Sequence, residues 1–127
     1  MKRILVIDDE PDIRDLIQEF LQDNYKCEID LAQDGVNANF KTSHTFYDLI
    51  ISDFKMPVID GGEFLEGLKK TDNPNSKTTF IFISGYLEDT QKLKGQPNVF
   101  FVEKPIDFHV FQNLITKLLG DYSKSAA

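Results

Sequence analysis

Few side chains in this chain could do chemistry together, and those that could stand in matching places. Asp8 and Asp9 follow the apolar run Ile4-Leu5-Val6-Ile7, and Asp53 follows Leu49-Ile50-Ile51 after one serine. Ser84 follows Phe80-Ile81-Phe82-Ile83, and Lys104 follows Val99-Phe100-Phe101-Val102 after one glutamate. Three carboxylates brought together repel, and each raises the pKa of the others unless a cation sits among them. An all-oxygen set suits Mg²⁺, which keeps several waters and recruits phosphate oxygens. A lysine offers positive charge to a phosphoryl oxygen, and a serine offers a hydrogen bond. Singly, each has an ordinary explanation: acids favour helix N-termini, Ser84-Gly85 makes a turn, and Lys104-Pro105 makes a solvated loop. Coincidence is a poor account of all of them at four strand ends.

For these groups to meet, the apolar runs must be strands of one parallel sheet, whose carboxyl edge is where open α/β folds gather their chemistry. The runs are too short for helices and are continuously apolar, as strands covered on both faces are. A further short strand is expected over 27–31. Between the strands come helical patterns. Pro11 suits a first helical turn, and Ile13, Leu16, Ile17, Phe20 and Leu21 recur on one face. After a turn at Asp34-Gly35 a weaker pattern runs through Val36, Ala38 and Phe40. Asp60 and Glu63 have the spacing of a reciprocal cap ahead of Phe64, Leu65 and Leu68. Asp107 caps a last helix bearing Phe111, Leu114, Ile115, Leu118 and Leu119. Residues 71–77 read as a loop, and 87–96 is so charged that any helix there is short or poorly anchored. Five alternations predict an α/β fold: a doubly wound, five-stranded parallel sheet with helices on both faces. One domain over 1–120 is expected, with a flexible tail over 121–127.

Composition removes other classes. A formal net charge of −7 argues against nucleic acid as a partner, since phosphate backbones demand a basic face. The apolar runs fall far short of the roughly 20 residues a spanning helix needs, so no membrane partner is expected. The start, Met1-Lys2-Arg3, reaches Asp8 too soon for a secretory signal, which leads to a cytoplasmic expectation. Cys27 has no second cysteine to pair with, and His44 and His109 form no zinc motif.

The acid pair Asp8-Asp9, Asp53 with Met56-Pro57 and Asp60-Gly61 behind it, Ser84-Gly85-Tyr86, and Lys104-Pro105 occur here in one order. In this combination the chain resembles the receiver domain of two-component response regulators, of the chemotaxis-regulator type, over about 2–119. The resemblance implies a flavodoxin-like strand order 2-1-3-4-5 and Asp53 as phosphoacceptor. The donor would be a histidine kinase, a histidine phosphotransfer protein or a small phosphodonor. It implies Mg²⁺ held by Asp9, Asp53 and the carbonyl of Lys55, with Asp8 acting through water. Lys104 would contact a phosphoryl oxygen and join Pro105 by a cis bond. Ser84 and Phe101 would be the switch pair, re-setting a surface of fourth helix, fifth strand and fifth helix for a downstream target or fused output domain. Lys55 and Tyr86 would flank the path of a hydrolytic water. A monomer or weak dimer is implied, acting as a switch with only self-catalysed phosphotransfer and dephosphorylation, not as a metabolic enzyme.

The segment from Ser84 to Lys104 is a little short for the family, and Gly95-Gln96-Pro97-Asn98 replaces the usual small-residue turn, which leaves the fourth helix in question. Phe100 adjoins Phe101, and strand alternation favours Phe101 as the switch aromatic. Two rival readings are a phosphate-independent pseudo-receiver and an aspartate-nucleophile phosphatase. The second needs Asp-x-Asp after the first strand, where this chain has Asp8-Asp9-Glu10.

Overall fold

Apolar sequence alternating with capped amphipathic stretches produces, in the computed structural model, β1 (Lys2–Ile7), α1 (Pro11–Asn24), β2 (Cys27–Ala32), α2 (Gly35–His44) and β3 (Leu49–Asp53). These are followed by α3 (Gly61–Lys70), β4 (Thr79–Ser84), a 3-10 segment (Leu87–Leu93), β5 (Val99–Glu103) and α4 (Phe108–Leu119). The structure describes residues 1–120, so the tail expected over 121–127 lies outside the described residues. All strand pairs are parallel, in the order β2-β1-β3-β4-β5. Every residue of the central β3 is buried, which explains why its sequence shows no polar alternation.

Successive side chains of each strand feed two separate cores. Ile4, Val6, Ile51 and Ile83 pack with Ile17 and Leu21 of α1 and Phe111 and Ile115 of α4. Leu5, Ile7, Ile50 and Phe82 pack with Ala38 of α2 and Phe64, Leu65 and Leu68 of α3. Each such side chain contributes about 1.5–3 kcal/mol on burial, so the sheet is held rigid where it carries the polar groups. The caps hold as the sequence suggests. Pro11 opens α1, Asp60 and Glu63 form the reciprocal cap of α3, and Asp107 accepts from His109 and Val110 N–H. Asp34 acts as the N-cap of α2, accepting from Asn37 N–H, rather than as a simple turn residue.

Exposed apolar residues in α1 and α2 depart from the helical periodicity, while the segment before β5 is as short as its charge suggests. Leu16 lies on the α1 stripe but is 46% exposed, and Val36 and Phe40 of α2 are exposed too. The charged segment before β5 forms only the 3-10 turn, ending in left-handed backbone at Gly95 and Asn98. Asn75, in the polar loop before β4, is 1% exposed and works as a clasp. Its Nδ2 donates to the carbonyls of Thr42 and Thr45, and its Oδ1 accepts from Tyr47 N–H, fixing the entry to β3. Among the described residues no helix is long and apolar enough to cross a membrane.

Candidate functional site

The carboxyl ends of β1, β3, β4 and β5 lie side by side because the sheet is parallel, and their polar residues gather there. Asp8, Asp9 and Asp53 each bring one carboxylate oxygen within 4.8 Å of the others. Asp53 is the last residue of β3 and is 4% exposed. Lys104, just past β5, reaches its Oδ1 at 3.1 Å. The backbone N–H of Lys104 bonds the Ser84 carbonyl, and that of Phe54 bonds the Ile83 carbonyl, which locks the ends of β3, β4 and β5 together. The Lys104–Pro105 peptide is cis.

Asp8 is held in place by groups that composition does not advertise. Its Oδ1 accepts from Glu10 N–H at 2.9 Å, and its carbonyl accepts from the Arg14 guanidinium at 2.8 Å. The side chain-to-N–H link two residues on is the usual Asx geometry, so the Asp8-Asp9-Glu10 spacing held that signal. Its Oδ2 is buried and has no hydrogen-bond partner among the described residues. A buried carboxylate oxygen left bare costs about 1–3 kcal/mol or more, since it keeps none of its water. Hard, oxygen-only donors with an orphaned oxygen fit a hydrated divalent ion such as Mg²⁺.

The acids raise one another's pKa values, as the sequence suggests, but burial outweighs that repulsion. Burial, ahead of mutual repulsion, is the main reason the Asp8 carboxyl rises from 3.8 to about 6; the Glu10 N–H opposes this, and the charge of Asp53 adds to it. Burial likewise raises Asp53 most, while the hydrogen bond and charge of Lys104 pull it part of the way back. Burial alone would lower the Lys104 ammonium, but its hydrogen bond and charge pairing with Asp53 prevail and leave it above its ordinary value. Lys104 is therefore a built-in cation for the cluster.

The remaining residues singled out in the sequence are placed differently. The Ser84 hydroxyl is buried and donates to the carbonyl of Tyr86, while accepting from Tyr86 N–H. Phe101 is half-buried on the α3 side, its ring 6.1 Å from that of Phe82, its neighbour in the β4–β5 register. Phe100 packs on the opposite core. The Lys55 backbone N–H bonds Asp53, while its side chain is exposed, and the Tyr86 ring is 66% exposed. Sequence reasoning missed the surroundings of Leu16. An apolar cleft of about 550 Å³, lined by Ile13, Leu16, Ile106 and Phe108, opens beside Lys104.

The fold and the site are those of a doubly wound α/β protein with three acids, a hydroxyl and a lysine gathered at the carboxyl edge of its sheet. Solved structures of the same shape include the chemotaxis response regulator CheY4 of Vibrio cholerae. It is 27% identical, with a TM-score of 0.82 over 93% of this chain and 98% of that chain. Response regulator protein TrrA from Thermotoga maritima, solved in complex with Mg(2+)-BeF, is 36% identical, with a TM-score of 0.80 over 93% of this chain and 99% of that chain. Response regulator Rre1 of Synechocystis sp. is 29% identical over 125 residues, covering 97% of this chain and 54% of Rre1, so the chain spans about half the length of that relative. The family model described as the response regulator receiver domain matches residues 4–116, and the chain belongs to that family of two-component signalling modules.

Proposed function

We infer that this domain is a phosphorylatable switch, with Asp53 as the phosphoacceptor. The observation that carries the reading is the pairing of a nearly buried Asp53 carboxylate with Lys104 at 3.1 Å, inside a cluster of acids that holds an orphaned Asp8 oxygen. A carboxylate oxygen of Asp53 attacks the phosphorus of a phosphohistidine, or of a small phosphodonor. The P–O bond to Asp53 forms as the bond from phosphorus to its leaving group breaks: the P–N bond of phosphohistidine, whose departing imidazole takes a proton from solvent, or the P–O or P–N bond of the small donor. Lys104 turns from the Asp53 carboxylate to a phosphoryl oxygen, keeping an ion pair throughout. Asp9, Asp53 and the Lys55 carbonyl would hold Mg²⁺, with Asp8 behind a bound water. The ion supplies charge neutralisation for the incoming phosphoryl oxygens.

Ser84 is the responsive element. Its hydroxyl is bonded to the Tyr86 carbonyl, and leaving that bond for a phosphoryl oxygen would shift the β4 exit loop. Phe101, stacked on Phe82 two residues before Ser84, would follow inward, changing the surface around β5. A histidine kinase or histidine phosphotransfer protein would deliver the phosphoryl group, and a downstream target or fused output domain would read the surface. The cleft beside Lys104 gives the donor an apolar foothold next to the chemistry. Lys55 and Tyr86, whose side chains are exposed, would flank the approach to Asp53 once it is phosphorylated and would govern hydrolysis. On this reading the domain acts as a switch rather than a turnover enzyme, with the cytoplasm as its expected place.

Amide resonances of ¹⁵N-labelled protein, followed as Mg²⁺ and beryllofluoride are added, test this reading. Shifts at Asp9 and Asp53 are expected with Mg²⁺ alone, and saturable shifts at Ser84, Tyr86 and Phe101 only when both are added. Shifts absent from Ser84 and Phe101 would remove the switch, and no shifts at all would favour the pseudo-receiver.

A further inference from the structure

The Leu87–Leu93 segment is too short to cover all of the sheet on the α3 side. Between it and α3 runs a groove of about 670 Å³, from Phe54 and Lys55 near the carboxyl edge to Gln96 at the far end. Its floor is apolar, formed by Phe54, Leu65 and Leu93, all part of the core on that side. The size is that of a small-ligand pocket, with room for a few anchoring side chains rather than for a whole helix.

The rim decides what would enter. Asp60, Glu63 and Glu66 line it together with Lys55, Lys69, Lys70 and Lys92. The acids are already engaged. Asp60 and Glu63 satisfy each other and the first turn of α3, and Glu66 pairs with Lys70 one turn on. The lysines are less so. Lys69 donates to the neutral amide of Gln96, and Lys55 and Lys92 have no carboxylate partner among the described residues. With four lysines to three acids, and with Asp60 and Glu63 held at the positive first turn of α3, the rim carries a slight excess of positive charge on a chain of formal net charge −7. A basic segment would be drawn elsewhere on such a surface, and an acidic one would find its nearest cations here.

We propose that this groove docks an acidic amphipathic segment of a partner protein. Its apolar side chains lie on Phe54, Leu65 and Leu93, and its carboxylates meet Lys55, Lys69 and Lys92. The mode is that of an amphipathic helix or turn anchored in a groove, with charge fixing partner choice. The groove is present without phosphorylation of Asp53, so it can be tested apart from the phosphoacceptor reading.

The experiment is a titration of the ¹⁵N-labelled 127-residue chain, free of phosphodonor, with synthetic peptides of about four helical turns. One carries leucine and phenylalanine on one face and glutamate elsewhere. A second has lysine in place of glutamate, and a third has serine in place of the apolar residues. Saturable shifts at Leu65, Glu66, Lys69 and Leu93 with the first peptide, and with neither of the others, are expected. The exposed double variant Lys69→Glu/Lys92→Glu should bind the glutamate peptide about tenfold or more weakly, as when rim charges change sign, and should gain the lysine peptide. Equal binding of the glutamate and lysine peptides, shifts mapping outside the groove, or no binding to the unmodified chain would overturn the proposal. Groove shifts that grow with protein concentration alone would assign the surface to a second copy of this chain, and would overturn it equally.

Discussion

Replacing Asp8 by Asn should stabilise the metal-free protein, although it removes a residue of the candidate site. Asp8 is buried with one bare oxygen, and its carboxyl is raised from 3.8 to about 6, mainly by burial. A carboxyl whose folded pKa lies above its unfolded value costs stability once pH exceeds the folded pKa, because the folded state must then hold a charge that the unfolded chain carries more easily. The contribution is fully present below the unfolded value near 4 and is lost as pH rises through about 6. At about 1.36 kcal/mol per pKa unit, the penalty at pH well above 6 is about 3 kcal/mol. Asparagine keeps the acceptor for Glu10 N–H and carries no charge. With about 3 °C per kcal/mol for a domain of this size, the variant should melt roughly 9 °C higher in EDTA near pH 7.5. Below about pH 4 the gap should close. Mg²⁺ should narrow the gap at neutral pH, because binding to the native state stabilises the wild type in proportion to its occupancy. Thermal scans of both proteins across that pH range, with and without Mg²⁺, decide the matter. A variant no more stable than wild type at pH 7.5 in EDTA, or a gap that persists unchanged at low pH, would refute the reasoning.

Gly61→Ala should lose about 1–3 kcal/mol in urea unfolding, because a Cβ there would stand 2.7 Å from the Phe82 ring and 3.2 Å from the Phe54 Cα, in a packed core. Val58 holds φ of 69° in a tight turn closed by Ile59 N–H to the Pro57 carbonyl, and is 88% exposed, so Val58→Gly should gain about 1 kcal/mol after the entropic cost of glycine is subtracted. The double variant Lys55→Asn/Tyr86→Ala should lose its phosphoryl group about tenfold faster once the donor is removed, if each barrier falls by about 0.7 kcal/mol. An equal or slower decay would show that neither side chain guards the phosphoryl group.

What could be read from the sequence was whatever local pattern alone determines. Ile4 to Ile7, Leu49 to Ile51 and Phe80 to Ile83 are covered on both faces, so unbroken apolar runs mark them. Asp60 with Glu63, and Asp107, carry their cap chemistry in their spacing. The acids, Ser84 and Lys104 were legible because a parallel sheet puts every strand exit on one edge. The rest depends on partners remote in sequence. Leu16 continues the α1 stripe, and only the cleft beside Lys104 leaves it in solvent. Asn75 looks like one more polar loop residue until the carbonyls of Thr42 and Thr45 meet it. The dominance of burial over repulsion at Asp8 depends on how much protein surrounds the pocket, which no spacing of acids encodes.

The central claim is that Asp53 receives a phosphoryl group with Mg²⁺ and with the help of Lys104. Intact-mass spectrometry after incubation with a small phosphodonor tests it most directly, comparing wild type with Asp53→Asn, each with Mg²⁺ and with EDTA. Wild type should gain the mass of one phosphoryl group only when Mg²⁺ is present, peptide mapping should place it on Asp53, and the variant should gain none. Undiminished labelling of Asp53→Asn, or labelling of wild type that is indifferent to Mg²⁺, would contradict the account.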